Sequence, residues 1–347
     1  MKKTLAALIV SAFAASAANA AVVYDNEGTK VELNGSLRLI LEKADAKKYD
    51  AVGNSTKTAN SALRNAGSRF GITVKHNLDN DFYALGRLES RFDDTESRDQ
   101  FGSLYAKRAY VGLGSKATGD ITFGRQLTIA DDLTQANDYE YGFIPKGKYI
   151  PTSGTGVVRY DYKGIEGLQL SANYNFGQTN DEKGNPLKPG IKNAYAVGAL
   201  YTAGDLDARL AYGHTNFETG ASYAHRLDGV LASLGYKFGD FTLTGDFAYG
   251  HEKFDDEKTN KFYVAPGFAY QVLPASKVYG NYLYERVKGE NTKDKTHGFL
   301  LGADYQLHKQ VVVFLEGKYV TTKSYVNDAY DGKVKDRAIG VGMRVFF

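Results

Sequence analysis

The chain has 347 residues, with 43 Lys and Arg against 40 Asp and Glu, a formal net charge of +3. This near balance excludes the basic footprint of a nucleic-acid-binding protein, and the absence of cysteine excludes a disulfide framework. A mean hydropathy of −0.39 excludes a bundle of membrane helices but not a membrane β-barrel, in which only alternate residues face lipid. The 26 Tyr, 19 Phe, 38 Gly and only 6 Pro favour extended β-structure.

The N-terminus has the features of a secretory signal peptide. Lys2 and Lys3 precede an Ala/Leu-rich stretch over 4–17, and Ala18-Asn19-Ala20 matches an A-x-A cleavage site. The apolar run is too short for a membrane helix. We therefore predict a signal peptide over 1–20 and a single exported domain over 21–347.

Strand signals recur along the rest of the chain. In 168–176, for example, Leu, Leu, Ala, Tyr and Phe alternate with Gln, Ser, Asn and Asn, the period of a strand with one apolar face. Most segments have roughly a dozen residues, as a tilted membrane strand requires. The sixteen predicted strands are 29–43, 67–77, 81–92, 101–114, 119–125, 156–163, 167–177, 191–203, 205–215, 225–238, 240–253, 260–273, 276–289, 295–307, 310–324 and 335–347.

The predicted connections alternate between short and long. The short ones, such as 203–205 and 238–240, are rich in the turn residues Gly, Asn, Asp and Pro. The long ones are 44–66, 93–100, 126–155, 178–190, 216–224, 254–259, 290–294 and 325–334. This alternation predicts an all-β fold: a transmembrane, antiparallel, up-and-down β-barrel with turns at one rim and loops at the other.

The last predicted strand shows the two environments of such a barrel. Ile339, Val341 and Met343 share one parity and Arg344 lies on the other. We expect the apolar parity to face lipid or a neighbouring subunit and the Arg344 parity to face the lumen. Pairing of 335–347 with 29–43 would close the sheet, and sixteen strands leave an aqueous channel.

Several short motifs, in their order and spacing, resemble the Gram-negative general diffusion porins, most closely the Pasteurellaceae type. They are Lys30-Val-Glu-Leu-Asn-Gly35, Ser68-Arg-Phe-Gly71, Lys107-Arg-Ala-Tyr-Val-Gly-Leu113, Ile121-Thr-Phe-Gly-Arg125, Val158-Arg-Tyr160 and the terminal Phe347. The resemblance implies a homotrimer of sixteen-stranded barrels in the outer membrane, in contact with lipid and lipopolysaccharide. It also implies a long third loop folded into the lumen and passage of small hydrophilic solutes and ions.

The resemblance nominates a basic side of the pore constriction. Arg69 and Arg108 match two positions of the family's basic ladder and fall on the expected lumen parity. Arg38 lies two residues from a third ladder position, which is Ser36 here. A fourth position falls near Pro151; Lys146 or Lys148 could replace it, and the sequence leaves both open.

The resemblance also nominates an acidic side. Tyr139-Glu-Tyr-Gly142 resembles the family's Pro-Glu-Phe-Gly turn, which points to Glu140, with Asp138 beside it and Asp131 as a third candidate. Glu89 shares its parity with Arg87 and Arg91 and is expected in a charge network on the wall. Opposite fixed charges across a narrow opening create a transverse field; the alternative is that each charge is merely solvated on a wide wall.

No catalytic or cofactor motif occurs: the sequence has no HExxH, GxSxG, P-loop or dinucleotide fingerprint. We therefore predict a passive porin that is not an enzyme and needs no cofactor or metal. The alternatives are a solute-specific channel on the same fold, an outer-membrane barrel enzyme and an adhesin. In the family, a terminal aromatic such as Phe347 is the signal for the barrel-assembly machinery.

Overall fold

The computed structural model describes residues 20–93, 101–219 and 224–347, and the predicted signal peptide lies outside them except for Ala20. In this part of the chain there are nineteen strands in one antiparallel sheet. They are β1 (Ala21–Asn26), β2 (Thr29–Asp50), β3 (Ser55–Asn65), β4 (Arg69–Asn77), β5 (Phe82–Phe92), β6 (Leu104–Ser115), β7 (Gly119–Leu127), β8 (Ser153–Ile165), β9 (Leu168–Asn175), β10 (Gln178–Asn180), β11 (Pro186–Ala203), β12 (Leu206–Phe217), β13 (His225–Phe238), β14 (Phe241–Phe254), β15 (Glu257–Leu273), β16 (Ser276–Lys288), β17 (Thr292–His308), β18 (Val311–Val326) and β19 (Ala329–Phe346).

The sheet closes on itself with sixteen strand positions. β19 pairs with β2, which removes both edges of the sheet. β3 and β4 lie end to end along β2, and β9 and β10 lie end to end along β11, so each pair fills one position. β1 continues the line of β19 along β2. The predicted all-β, sixteen-position antiparallel barrel is confirmed, although the segment 21–26 was not predicted as a strand.

Four of the predicted long loops are much shorter in the structure, because the strands on either side continue into them. The segment 44–66 is mostly a hairpin extension, because β2 continues to Asp50 and β3 begins at Ser55. The predicted loops 254–259, 290–294 and 325–334 are likewise tight turns between strands that run further than expected. Beyond the membrane both faces of a strand meet water, so the apolar alternation stops while Thr, Tyr and Lys continue the strand. The two rims of the barrel therefore differ in how far the strands extend beyond the membrane as much as in the length of the loops.

The outer face of the barrel is apolar. In β19, Ile339, Val341 and Met343 are 54%, 57% and 44% exposed, as their parity predicted. Leu301 in β17 and Leu63 in β3 share this exposure. Such a continuous apolar surface belongs against lipid or a partner subunit. Among the described residues no helix is long and apolar enough to cross a bilayer.

The two rims differ. One carries tight turns, such as those at 204–205 and 239–240, together with Ala21 and the C-terminal Phe347. The other carries the extended hairpins and the 128–152 connection between β7 and β8. Membrane barrels have short periplasmic turns and longer extracellular loops, so this second rim is the extracellular one.

Candidate functional site

The connection 128–152 (hereafter the inner loop) packs inside the barrel. Its residues Ile129, Leu133, Tyr149 and Ile150 are buried and form an apolar cluster with side chains of the inner wall. The wall members are Ala196, Ala211, Leu231, Ala248, Tyr263, Ala265 and Leu283, from β11 to β16. Small wall residues leave room for the loop, and burial of its four large side chains holds it against one side of the lumen.

A buried carboxylate on β18 binds the tip of the inner loop. Glu316 is 0% exposed and accepts hydrogen bonds from the backbone N–H groups of Tyr139 (2.7 Å), Glu140 (2.8 Å) and Tyr141 (2.5 Å). The hydroxyl of Tyr279 donates a fourth hydrogen bond at 2.7 Å. The charge of Glu316 is thus compensated by donors fixed in the loop backbone, which makes this contact strongly orienting.

Two more wall carboxylates hold the loop elsewhere. Asp246 of β14 accepts from the backbone N–H groups of Gln135 and Ala136 at 2.9 and 3.1 Å. Glu285 of β16 accepts from the Tyr149 hydroxyl at 3.2 Å, and Lys148 forms an ion pair with it at 3.1 Å. The loop is therefore attached at three separate strands rather than at one point.

The loop tyrosines remain neutral donors in this arrangement. Burial raises the pKa of the Tyr139, Tyr141 and Tyr149 hydroxyls, and the carboxylates that accept from them raise it further. The acceptors of Tyr139 and Tyr141 are Asp304 and Glu42, at 2.7 and 2.8 Å. These hydrogen bonds persist throughout the neutral pH range.

Arginines cluster on the wall that faces the tip of the inner loop. Arg38, Arg69, Arg91 and Arg344 line one recess of about 180 Å³, and Glu140 of the loop lines it from the other side. In the sheet register, Arg38 lies directly opposite Arg344, and Arg69 directly opposite Arg91. Like charges at paired positions repel each other. The recess therefore presents a concentrated positive potential to the lumen.

Arg108 and Glu89, two of the predicted site residues, lie on the same wall but do not line this recess. Glu89 pairs with Arg87 at 2.8 Å and Arg91 at 3.0 Å, which is the wall network its parity suggested. Arg108 lies opposite Glu89 in the register and is buried. Its Nη1 donates to the backbone carbonyl of Lys107 at 2.8 Å and lies 3.9 Å from Glu182.

The predicted acidic residues separate into different environments. Glu140 forms an ion pair with Arg64 of β3 at 2.7 Å, and Arg64 also binds Glu42. Asp131 pairs within the loop with Lys146 at 3.1 Å. Asp138 is exposed beside Gly142 and does not line the recess. The structure thus brings Arg38, Arg69 and Glu140 together and places Asp131 and Asp138 elsewhere.

Three residues of the site, Arg91, Arg344 and Glu316, were not among the site residues predicted from the sequence motifs. Arg91 shares the lumen parity of Glu89, and Arg344 was placed on the lumen side but not in the constriction. Glu316 was missed because Val311–Tyr319 is apolar on both faces. An acidic residue inside such an apolar stretch is itself a signal, because a membrane strand keeps a carboxylate only on its lumen side.

Glycines of the wall allow the loop to approach closely. A Cβ added to Gly229 of β13 would lie 2.2 Å from the carbonyl oxygen of Tyr149, and one added to Gly213 would lie 2.6 Å from Ile150. The Tyr149 contact involves backbone, so rotation of a side chain cannot relieve it. Close packing of loop and wall therefore requires Gly at position 229.

Gly229→Ala is expected to push the Tyr149 end of the inner loop off the wall and to raise fluctuations of the ion current. Gly245→Ala in the adjacent strand β14 is the control, since a Cβ there meets nothing within 4 Å. Single-channel recording compares the two variants. Equal current noise in both would show that the close contact at Gly229 does not hold the loop.

The comparisons with known proteins agree with this architecture. The family model described as Gram-negative porin matches residues 4–325. A "Major outer membrane protein" of Pasteurella multocida (strain Pm70) is 33% identical over 377 residues, covering 100% of both chains. Among solved structures, OmpT of Vibrio cholerae aligns with a TM-score of 0.68 at 18% identity, covering 94% of this chain and 99% of that one. An anion-selective porin from Comamonas acidovorans aligns with a TM-score of 0.64 at 19% identity, covering 92% and 100%.

Proposed function

Because this chain belongs to the Gram-negative porin family and forms an outer-membrane channel for passive diffusion, we propose that it works as a homotrimer of water-filled barrels. In each barrel the constriction lies between the arginine recess and the inner loop. The proposal is supported by the closed barrel, by the inner loop attached to its wall and by a trimer among the similar solved structures. One similar structure is described as the trimer form of V. cholerae OmpT.

The charges at the constriction favour anions. Four arginines line the recess, whereas Glu140 is the single carboxylate among the described residues that line it; Glu89 pairs with Arg91 from outside the recess. Fixed charges at a narrow, partly desolvated opening set the potential that an ion meets. The channel is therefore expected to pass chloride more readily than potassium, and Arg38, Arg69 and Glu140 are the predicted site residues that contribute to this preference. Arg108 and Glu89 lie on the same wall outside the recess, and their charges also contribute to the electrostatic potential that an ion meets.

Planar-bilayer recording tests the channel and the assembly together. Purified protein should give large ohmic conductance that appears in groups of three equal steps. Steps that always appear singly would contradict the trimer, and absence of conductance from correctly folded protein would contradict the channel. A sugar-specific channel is the second candidate, and block of the current by one sugar alone would favour it.

Two further proposals follow from the sequence. Residues 1–20 act as a signal peptide that is removed on export, and mass measurement of the mature protein, expected to begin at Ala21, checks this. The protein has no enzymatic role: of its buried carboxylates among the described residues, Glu316, Asp246 and Glu285 hold the loop, and Glu42, Glu89 and Asp207 pair with arginines. Hydrolysis of phospholipid or peptide substrates by pure protein would contradict this second proposal.

We further propose that Phe347 both completes the seam and directs assembly. Its backbone N–H and carbonyl pair with Gly35 at 3.1 and 2.8 Å, and its ring lies against the same glycine. Deletion of Phe347 is expected to lower the amount of folded barrel in the outer membrane at least severalfold. The barrels that do form should keep the wild-type conductance, because the recess is unchanged. Normal yield of the deletion variant would contradict the assembly role.

A further inference from the structure

The hairpin that joins β10 to β11 reaches across the extracellular rim to another part of the wall. Its turn, 181–185, is held by Asp181, whose Oδ1 atom accepts from the backbone N–H groups of Lys183 and Asn185 at 2.9 and 2.8 Å. The Oδ2 atom accepts from the side-chain amide of Asn185 at 3.0 Å. An aspartate that binds its own turn in this way fixes the turn backbone. The side chains of Glu182 and Lys183 are therefore presented from a well-defined turn.

The hairpin lies against a part of β6 that β7 leaves unpaired. In the register of the described strands, β6 pairs with β7 only from Ala109 onward, so residues 104–108 have strand partners on the β5 side alone. The cause is the inner loop, because β7 is irregular between Gly124 and Gln126 and ends at Leu127, where the loop begins. Backbone groups at an unpaired strand edge need other partners.

Arg125 joins the hairpin to this edge of β6. Its Nη1 atom donates to the carbonyl of Ala106 at 2.8 Å and to the carbonyl of Glu182 at 3.1 Å. At the base of the hairpin, Gln178 accepts from the backbone N–H and the hydroxyl of Thr155 in β8 at 2.9 and 3.3 Å. The hairpin thus spans from β8 to β6 next to the point where the inner loop leaves the wall.

Two side chains of the turn form ion pairs with the wall. Glu182 pairs with Lys107, and its Oε1 atom lies 3.9 Å from Nη1 of Arg108. This Oε1 atom is buried and has no hydrogen-bond partner in the described part of the chain. Lys183 pairs with Asp93, which follows the last residue of β5. The turn therefore places a carboxylate beside two basic residues of the wall and is held there by a second ion pair.

Glu182 brings a negative charge to the wall beside the arginine recess. Glu89, the strand partner of Arg108, pairs with Arg91 instead. The ion pair that Arg108 forms with a described residue is the one with Glu182. Without the charge of Glu182, Lys107 and Arg108 would add their positive potential to that of the recess. Fixed charges at a narrow opening set which ions enter it.

We propose that Glu182 is a selectivity-determining residue of the channel, which the β10–β11 hairpin carries to the wall to offset the charges of Lys107 and Arg108. The positive potential is thereby concentrated in the recess, and the preference for anions stays moderate. This assignment rests on the proposed function, because it concerns ion permeation through that channel. It gives the hairpin a role in permeation that is separate from that of the inner loop.

Reversal potentials of E182Q and wild type in a potassium chloride gradient test the proposal. Glutamine keeps the size of the side chain and removes its charge, so the ratio of chloride to potassium permeability should rise by a factor of two to about five. E182D keeps the charge and should remain within about 1.5-fold of wild type. D256N, which removes a carboxylate from the exposed turn between β14 and β15, is the control and should also remain within that range.

A second pair of variants separates charge from the position of the hairpin. E182Q/K107Q removes both members of one ion pair and should return the ratio to within about 1.5-fold of wild type, because the two charge changes offset each other. E182Q/K258Q removes a lysine from the exposed start of β15 instead and should keep the full shift of E182Q. The shift of E182Q should also shrink from about 0.1 to about 1 M salt, where the Debye length falls from about 10 to about 3 Å.

An unchanged ratio in E182Q, an equal shift in D256N, or restoration by K258Q as complete as that by K107Q would overturn the proposal. Each of these results is a change relative to wild type. A wild-type channel that prefers potassium would therefore contradict the anion preference given above, while the rise of the ratio in E182Q would still support the role of Glu182.

Discussion

Arg69→Ala is expected to lower the preference of the channel for chloride over potassium by a factor of two to about five. Arg69 lines the recess and lies opposite Arg91, and its guanidinium also donates to the carbonyl of Gly67 at 3.1 Å. Two unit charges about 4 Å apart in water interact by roughly 1 kcal/mol, which corresponds to about a fivefold change in occupancy. Reversal potentials in a potassium chloride gradient measure the change.

Two other arginine variants make this prediction specific. Arg108→Ala should shift the reversal potential less, because Arg108 is bonded to the Lys107 carbonyl and lies near Glu182 rather than in the recess. Arg226→Ala removes one positive charge from the exposed outer side of β13 and should leave the potential unchanged. A shift for Arg226→Ala as large as that for Arg69→Ala would show that total charge, and not the recess, sets selectivity.

Glu316→Ala is expected to release the tip of the inner loop. The substitution removes the acceptor of three backbone N–H groups and of the Tyr279 hydroxyl. Hydrogen bonds to a charged group contribute about 1.5–3 kcal/mol each, so the attached state of the tip loses several kcal/mol. The lumen contains water that can hydrate the freed groups, so the barrel itself should still fold.

The expected readout is a larger and noisier single-channel current, with faster entry of larger sugars in liposome-swelling assays. Glu316→Gln keeps one acceptor oxygen and should lie between wild type and Glu316→Ala. Glu290→Ala, in the exposed turn between β16 and β17, is the matched control and should behave as wild type. A Glu316→Ala channel with wild-type current and size limit would mean that the apolar cluster around Tyr149 alone holds the loop.

The barrel was predictable because lipid imposes a strict pattern on its strands. The outward parity of β19 and the tight turn at 239–240 were both correct. The hairpin ends were not, since 44–50 and 55–60 lie where water meets both faces and no period of two is needed. The segment 21–26 was not predicted as a strand. Its six residues pair with the start of β2 and continue the strand position of β19, which is evident only from the register of the closed barrel.

The site was predictable only in part. Parity placed Arg69 and Arg344 on the lumen side, and the structure puts both in one recess. Parity cannot say which wall the inner loop approaches, because the loop contacts Glu316 from 175 to 177 residues away in sequence. Asp131, the third candidate, and Glu140, which the turn motif nominates, therefore could not be assigned to a wall from the sequence. One pairs within the loop with Lys146, and the other faces the arginines.

Ion current must pass between the arginine recess and Glu140 of the inner loop if these residues form the constriction. The chain has no cysteine, so Glu140→Cys gives a single thiol at this point. Modification of this variant with a bulky charged thiol reagent during bilayer recording should reduce the current by more than half. Val52→Cys, at the 83% exposed tip of the β2–β3 hairpin, should show no change when modified. Complete modification of the Glu140→Cys variant with an unchanged current would contradict this path for the ions.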